Sequence, residues 1–237
     1  MNLRKQILTI NACFKAGKTI KPKGIMVHST GANNPWLKRY VGSDDGLLGE
    51  NPYNNHWNQD KPGGKQVCVH AFIGKLSDGT IATYQTLPWN YRGSHCGSGK
   101  KGSGNDTHIG FEICEDLTNE AYFRGIFKEA VELCVYLCRA YNMTEKNILC
   151  HSEGYQLGIA SKHADVMHWF PRFGESMDSF RAAVKAGLKM EEEENATEES
   201  GRKYYRVQVG TFSSKGKAEV MVDKLKTAGF DGYIRYD

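Results

Sequence analysis

Apolar and polar positions divide the chain into distinct segments. Short apolar runs bounded by turn residues predict strands over Gly24 to His28, Val67 to Ile73, Thr80 to Tyr84, Ile109 to Cys114 and Asn147 to Cys150. Ser77-Asp78-Gly79-Thr80, between the second and third runs, is a hairpin signal. Phe123, Phe127, Val131, Cys134 and Cys138 recur at three- and four-residue spacing, which predicts a helix over Asn119 to Tyr141. A closing helix is expected over Met177 to Leu188. Strands alternating with helices predict one α/β domain over residues 1–188, a mixed central β-sheet flanked by helices. Ligands tend to sit at strand ends in such sheets.

The pattern breaks after that. Residues 189–203 contain the acidic run Glu191 to Glu194 and a polar stretch to Gly201, which reads as a solvated linker. Residues 204–237 read strand, helix, strand. Tyr205, Val207 and Val209 alternate, and Ala218, Val220, Met221, Leu225 and Ala228 share a helical face. Gly229 caps that helix, and Tyr233-Ile234-Arg235 starts a strand. So short a module buries too little to be stable alone, so it is expected to be part of something larger.

Composition narrows the class. The 237 residues are 40% hydrophobic and 24% charged, which suits a globular domain with a small module. The net charge of +4 is mild and favours an anionic surface or polymer as partner. No run reaches the length of a membrane span. The N-terminus is charged and lacks a long apolar run, so no secretory signal is expected and action outside the cytoplasm would need separate release. Seven cysteines without framework spacing argue against a disulfide scaffold, and without a CxxC pair a thiolate zinc site is not expected. Cys134 and Cys138 read as buried thiols on one helical face.

The candidate chemistry lies at strand ends. His28 closes the first strand and precedes Ser29-Thr30-Gly31. His151 follows Ile148-Leu149-Cys150. Two imidazoles and a carboxylate, with a fourth position open, make a hydrolytic zinc site. Asp165, fourteen residues after His151, competes with His163 and His168 for the third position. Glu112 lies on a strand whose Phe111 and Ile113 should point to the opposite face. A glutamate beside an activated water can take its proton and pass it to a leaving amine.

Five blocks in order carry a resemblance: Met26-Val27-His28-Ser29-Thr30, Val69-His70-Ala71-Phe72-Ile73 with Asp78-Gly79-Thr80-Ile81, Gly93-Ser94-His95-Cys96-Gly97, Ile109-Gly110-Phe111-Glu112, and His151-Ser152-Glu153 through Asp165. Over roughly residues 20 to 185 the chain resembles the zinc-dependent N-acetylmuramoyl-L-alanine amidases of the second amidase type, relatives of phage lysozyme amidases and peptidoglycan recognition proteins. The resemblance implies zinc held by His28, His151 and Asp165, with Glu112 as catalytic acid and base. The bond cut would join the lactyl group of N-acetylmuramic acid to L-alanine of the stem peptide. Many relatives carry a lysine two residues before the third ligand. Here that position is His163, with Lys162 one step further back, and either can donate to the developing oxyanion; register favours His163. Some relatives place a tyrosine before the histidine matching His70, where this chain has Val69. Other branches use cysteine as third ligand, but no cysteine follows Cys150, which supports Asp165. His95 resembles a cleft-lining residue expected to contact substrate. Trp57, Trp89 and Tyr91 are candidates for stacking on the sugar or lactyl group.

Arg206-Val207-Gln208-Val209-Gly210-Thr211-Phe212, the helix after it and Gly229-Phe230 resemble the first half of a sporulation-related repeat (SPOR) domain, a family that binds peptidoglycan glycan strands. Together the resemblances imply a phage or prophage endolysin, or an autolysin, acting on the glycan strand and stem peptide of the bacterial cell wall. Neither a nucleic-acid partner nor membrane insertion is expected. The alternatives are a non-catalytic recognition module and a cytoplasmic amidase that recycles muropeptides.

Overall fold

The computed structural model describes residues 1–201, 209–227 and 234, and divides into two compact units, Met1–Glu194 and Asn195–Asp237. In the first unit β1 (Leu3–Lys5), β2 (Gly24–Asn33), β3 (Ala71–Lys75), β4 (Ile81–Gln85), β5 (His108–Glu115) and β6 (Ile148–Cys150) form one sheet in the order β1-β4-β3-β5-β2-β6. β3 and β4 pair antiparallel; every other pair is parallel, so the sheet is mixed as expected. Asp78 makes the hairpin: its Oδ1 accepts from the backbone and the hydroxyl of Thr80, while Gly79 takes the left-handed conformation that favours glycine.

The alternation along the strands sets the two faces. Ile25, Val27, Ala71, Ile73, Ile109, Phe111 and Ile113 point to one side and join the main core. There they meet Phe123, Ile126, Leu133, Cys134 and Leu137 of α2 (Glu120–Tyr141), with Phe180 and Val184 of α4 (Met177–Gly201). Each such buried side chain stabilises the fold by roughly 1.5–3 kcal/mol. Asn119 caps α2 by accepting from the Tyr122 N–H, and Asn142 ends it in a left-handed conformation. The opposite face presents Met26, His28, Phe72, Tyr84, Glu112 and Cys114, partly covered by a second cluster built on Leu37, Tyr40, Val41 and Leu48. Functional side chains and core therefore sit on opposite faces of the same strands.

The structure departs from the sequence expectations in several places. β1 and the five-residue α1 (Ala12–Ala16) carry too few residues to show a period. The run from Val67 joins the sheet only at Ala71; ahead of it Cys68 exchanges two backbone hydrogen bonds with Ser94. His151 does not end a strand in a loop but opens α3 (His151–Gln156). α4 continues to Gly201, well past Leu188 and through most of the stretch expected to be linker.

Cys13 and Cys68 are joined in a disulfide, which corrects the expectation drawn from cysteine spacing; the other five cysteines are free and buried. The two partners lie 55 residues apart, so their pairing leaves no local spacing signal. Closing so long a loop restricts the unfolded chain. Cys13→Ser is expected to lower unfolding stability by roughly 2–4 kcal/mol in urea titrations of the oxidised protein. An unchanged midpoint would show that the bridge contributes nothing.

In the second unit, α5 (Lys215–Thr227) occupies the expected helix, with Ala218, Met221 and Leu225 half-buried and Val220 exposed. Most of the two expected strands, including Tyr205, Val207, Tyr233 and Arg235, lies outside the described residues. No helix among the described residues is long and apolar enough to cross a membrane.

Candidate metal centre

His28 is fixed by strand register. It lies on β2 opposite Glu112 of β5, and its predecessor Val27 pairs with Cys150 of β6. His151 follows Cys150 directly and so arrives beside His28. The start of α3 is tied down from two sides. The Glu153 carboxylate accepts from the Cys150 N–H at 3.0 Å and from both terminal nitrogens of Arg181 on α4, each at 3.0 Å. The Ser152 N–H donates to the Asp165 carbonyl at 3.4 Å, bringing the Asp165 loop back against α3. Beyond His28, β2 kinks at an irregularity between Ser29 and Asn33, where the Gly31 N–H donates to the buried carboxylate of Glu115 at 2.8 Å.

Three atoms converge here. His28 Nδ1 lies 3.0 Å from Asp165 Oδ2 and 3.1 Å from His151 Nδ1, and His151 Nδ1 lies 3.5 Å from Asp165 Oδ2. All three residues are buried, and burial lowers the His28 pKa, favouring the neutral ring. The far nitrogen of His151 faces Ser161 Oγ at 3.4 Å; that hydroxyl donates to the Cys96 carbonyl at 3.2 Å and so accepts from His151. His151 Nδ1 faces the carboxylate. Lone pairs and a carboxylate oxygen in one small triangle repel one another unless a proton or a cation lies among them. Zinc bonds of about 2.0–2.1 Å in a tetrahedron place ligand atoms about 3.3 Å apart, close to the spacing seen here. The group can therefore hold a metal, and its nitrogen and oxygen donors fit zinc.

Glu112 stands on the neighbouring strand. Its Oε2 is buried and has no hydrogen-bond partner. Burial first, then the negative charges of Asp165 and Glu115, push its carboxyl well above the usual range. A carboxyl without a structural bond to satisfy, in a polar site, is free to exchange a proton.

The other expected residues fall into different positions. His163 stacks on the His151 ring at 4.8 Å, with Nδ1 3.6 Å from Asp165 Oδ1 and a side chain 64% exposed, at the rim of the group. Lys162 is exposed beside it. His168, a rival for the third ligand position, instead bonds to Glu115 at 3.0 Å. His95 lies behind His28, its Nδ1 2.9 Å from His28 Nε2, an arrangement that spacing gave no sign of. Trp57 is half-buried and meets Phe72 edge-on at 5.0 Å within the second apolar cluster. Trp89 stacks on His70 at 6.4 Å, and Tyr91 on Phe14 at 5.8 Å.

With this geometry in view, comparison with known proteins identifies the family. A model of the N-acetylmuramoyl-L-alanine amidases matches residues 18–168. The chain belongs to this amidase family. It is a peptidoglycan amidase, and a SPOR domain model matches residues 181–236, starting within α4 rather than at residue 204. Solved structures share the amidase fold. PlyL is 22% identical with a TM-score of 0.55, over 78% of this chain and 98% of that one. The catalytic domain of XlyA is 24% identical with a TM-score of 0.54, over 78% and 99%. A mutant endolysin from Bacillus subtilis is 26% identical with a TM-score of 0.52, also over 78% and 99%. No curated protein sequence matches the chain.

His70 gives the amidase domain a specific acid sensitivity. The ring is fully buried; its Nε2 donates to the Tyr91 carbonyl at 2.8 Å, and its Nδ1 accepts from the Gly110 N–H at 3.0 Å. Burial lowers its pKa to about 4, from the 6.5 it has when unfolded. Because the folded form resists protonation, stability is complete above pH 6.5 and is lost as pH falls toward 4. Between pH 7 and 4.5 the wild type should lose roughly 2 kcal/mol more than His70→Gln in urea titrations. Equal losses would show that His70 does not stay neutral in the fold.

Proposed function

We propose that the amidase is zinc-dependent, with His28, His151 and Asp165 as ligands, and that it cuts the amide between N-acetylmuramic acid and L-alanine of the stem peptide. The convergence of His28 Nδ1, His151 Nδ1 and Asp165 Oδ2 carries this reading. Bound there, zinc would supply a Lewis acid for the scissile carbonyl and make water a better nucleophile. Glu112 takes the proton of the attacking water on its carboxylate and returns it to the L-alanine nitrogen as the amide breaks. That role suits a buried carboxyl with an unpartnered oxygen on the strand beside His28. His163, at the rim and in contact with His151, donates to the oxyanion, with Lys162 beside it as a second donor. Trp57 offers an aromatic surface to the sugar.

The SPOR match supports attachment to the glycan strand, so both parts of the chain engage one polymer. Solved relatives that include an endolysin support an endolysin setting; in that setting the enzyme would reach the wall through a separate membrane pore. The test is the chemistry of the product. Digesting purified peptidoglycan should release new N-terminal L-alanine without new reducing ends, and a chelator should stop it. New reducing ends would identify a glycosidase, and activity indifferent to chelation would remove the metal from the reading.

A further inference from the structure

Residues 40–70 hold no helix or strand apart from the short turn Pro62–Gly64. Loops of this length in a compact domain are uncommon and usually serve a function. This one is tied to the strand beside Glu112. Tyr40 stacks on Phe72 at 5.2 Å, Trp57 meets the same ring edge-on, and the Trp57 N–H donates to the Tyr40 carbonyl at 2.8 Å. Phe72 in turn pairs in register with Glu112. The loop and the segment that leads into it from β2 enclose a cavity of about 330 Å³, the size of a small-ligand pocket.

The lining offers hydrogen-bond donors and positive charge. Trp36 is half-buried there, and Tyr53 stands 82% exposed at the mouth. Lys38 and Arg39 line the cavity, and no carboxylate does among the described residues. Arg39 donates to the Asn55 carbonyl and lies 5.2 Å from the Tyr40 ring, but neither it nor Lys38 has an ion pair among the described residues. Asn51 fixes the wall by donating to the Lys38 carbonyl at 2.9 Å and to Asn55 Oδ1 at 3.1 Å. Asn34 Oδ1 is likewise spent, on the Trp36 N–H at 3.1 Å. The amide oxygens of Asn34 and Asn55 are thus engaged within the loop, and their amide hydrogens remain for a ligand. Such a lining suits a ligand that accepts hydrogen bonds and carries negative charge. Sugar hydroxyls, which need acceptors as well as donors, fit it less well.

We propose that this cavity is a subsite for the C-terminal carboxylate of the stem peptide, with Lys38 as its charged partner. The identity of the ligand rests on the amidase reading above. Neighbouring strands lie about 4.8 Å apart and a residue advances about 3.3 Å, so Lys38, two residues before the ring on Phe72, stands on the order of 10–20 Å from Glu112. Three to five extended residues span roughly 10–18 Å, so the far end of the peptide reaches the cavity while its L-alanine end is held at Glu112. Charge decides between the two parts of the polymer. The lactyl carboxyl is consumed in the amide that is cut, whereas the peptide keeps its C-terminal carboxylate.

Two soluble substrates separate the subsite from the catalytic centre: N-acetylmuramoyl dipeptide, whose stem is too short to reach the cavity, and N-acetylmuramoyl pentapeptide. The full-length wild type should cleave the pentapeptide with a kcat/KM about tenfold higher or more. Lys38→Ala should lower the pentapeptide value about tenfold, through KM, and leave the dipeptide value unchanged. Lys38→Arg should restore it. Asn51 holds Lys38 by its backbone carbonyl, so these substitutions leave the loop's own bonds in place. Amidating the C-terminus of the pentapeptide should cost the wild type the same factor and abolish its difference from Lys38→Ala. A Lys38→Ala loss that is equal on both substrates, or that survives amidation, overturns the proposal, as does a wild type indifferent to stem length. If the wild type cleaves neither substrate, the amidase reading fails, and calorimetry with the free pentapeptide decides the subsite. Binding about tenfold weaker in Lys38→Ala upholds it; equal binding, or none in either protein, overturns it.

Discussion

Glu112→Gln lowers the rate of L-alanine release roughly 100- to 10,000-fold and leaves zinc bound. The substitution keeps shape and volume and removes only the capacity to take a proton. In a purely structural role it would cost little, because Oε2 has no hydrogen-bond partner to lose and the amide would relieve the repulsion with Asp165 and Glu115. A rise in stability together with a collapse in rate is therefore the pattern expected of a proton carrier. Initial rates on purified peptidoglycan, metal content and a urea midpoint on the same preparation read all three. Full activity in Glu112→Gln would remove Glu112 from the chemistry.

The second large effect separates two neighbours. Asp165→Ala should emerge from purification without stoichiometric zinc and without activity. His163→Ala should keep its zinc and lose roughly 100- to 1,000-fold in turnover, the usual cost of removing an oxyanion donor. Only the Asp165 carboxylate reaches both imidazole nitrogens, at 3.0 and 3.5 Å. His163 lies outside that triangle, stacked on His151 with its edge toward solvent. If His163→Ala loses the metal and Asp165→Ala retains it, the assignments are reversed.

These two residues also show how far the chain could be read. Asp165 and His163 are two positions apart in a loop without period, so spacing offered no way to choose, and the choice rested on the family resemblance. The structure separates them because the Ser152 N–H draws the Asp165 backbone toward α3. The direction of Glu112 was legible because alternation along β5 forces it away from Phe111 and Ile113, whereas its role came from the family resemblance, since the same alternation fits a solvent-facing residue. His28 was legible as the first polar residue after an apolar run, but it does not end the strand: β2 continues past it to Asn33. The Cys13–Cys68 bridge, the bond from His168 to Glu115 and the contact of His95 with His28 join segments between 53 and 67 residues apart. No local pattern reports contacts of that range; they follow from the sheet order, which carries β5 between β3 and β2.

The most direct test of the metal centre is X-ray absorption at the zinc edge on the full-length protein, together with its metal content. The account predicts one zinc per chain, with imidazole nitrogen and carboxylate oxygen at about 2.0–2.1 Å and no sulfur at about 2.3 Å. A sulfur shell, or full activity on peptidoglycan from protein that holds no zinc, would contradict it.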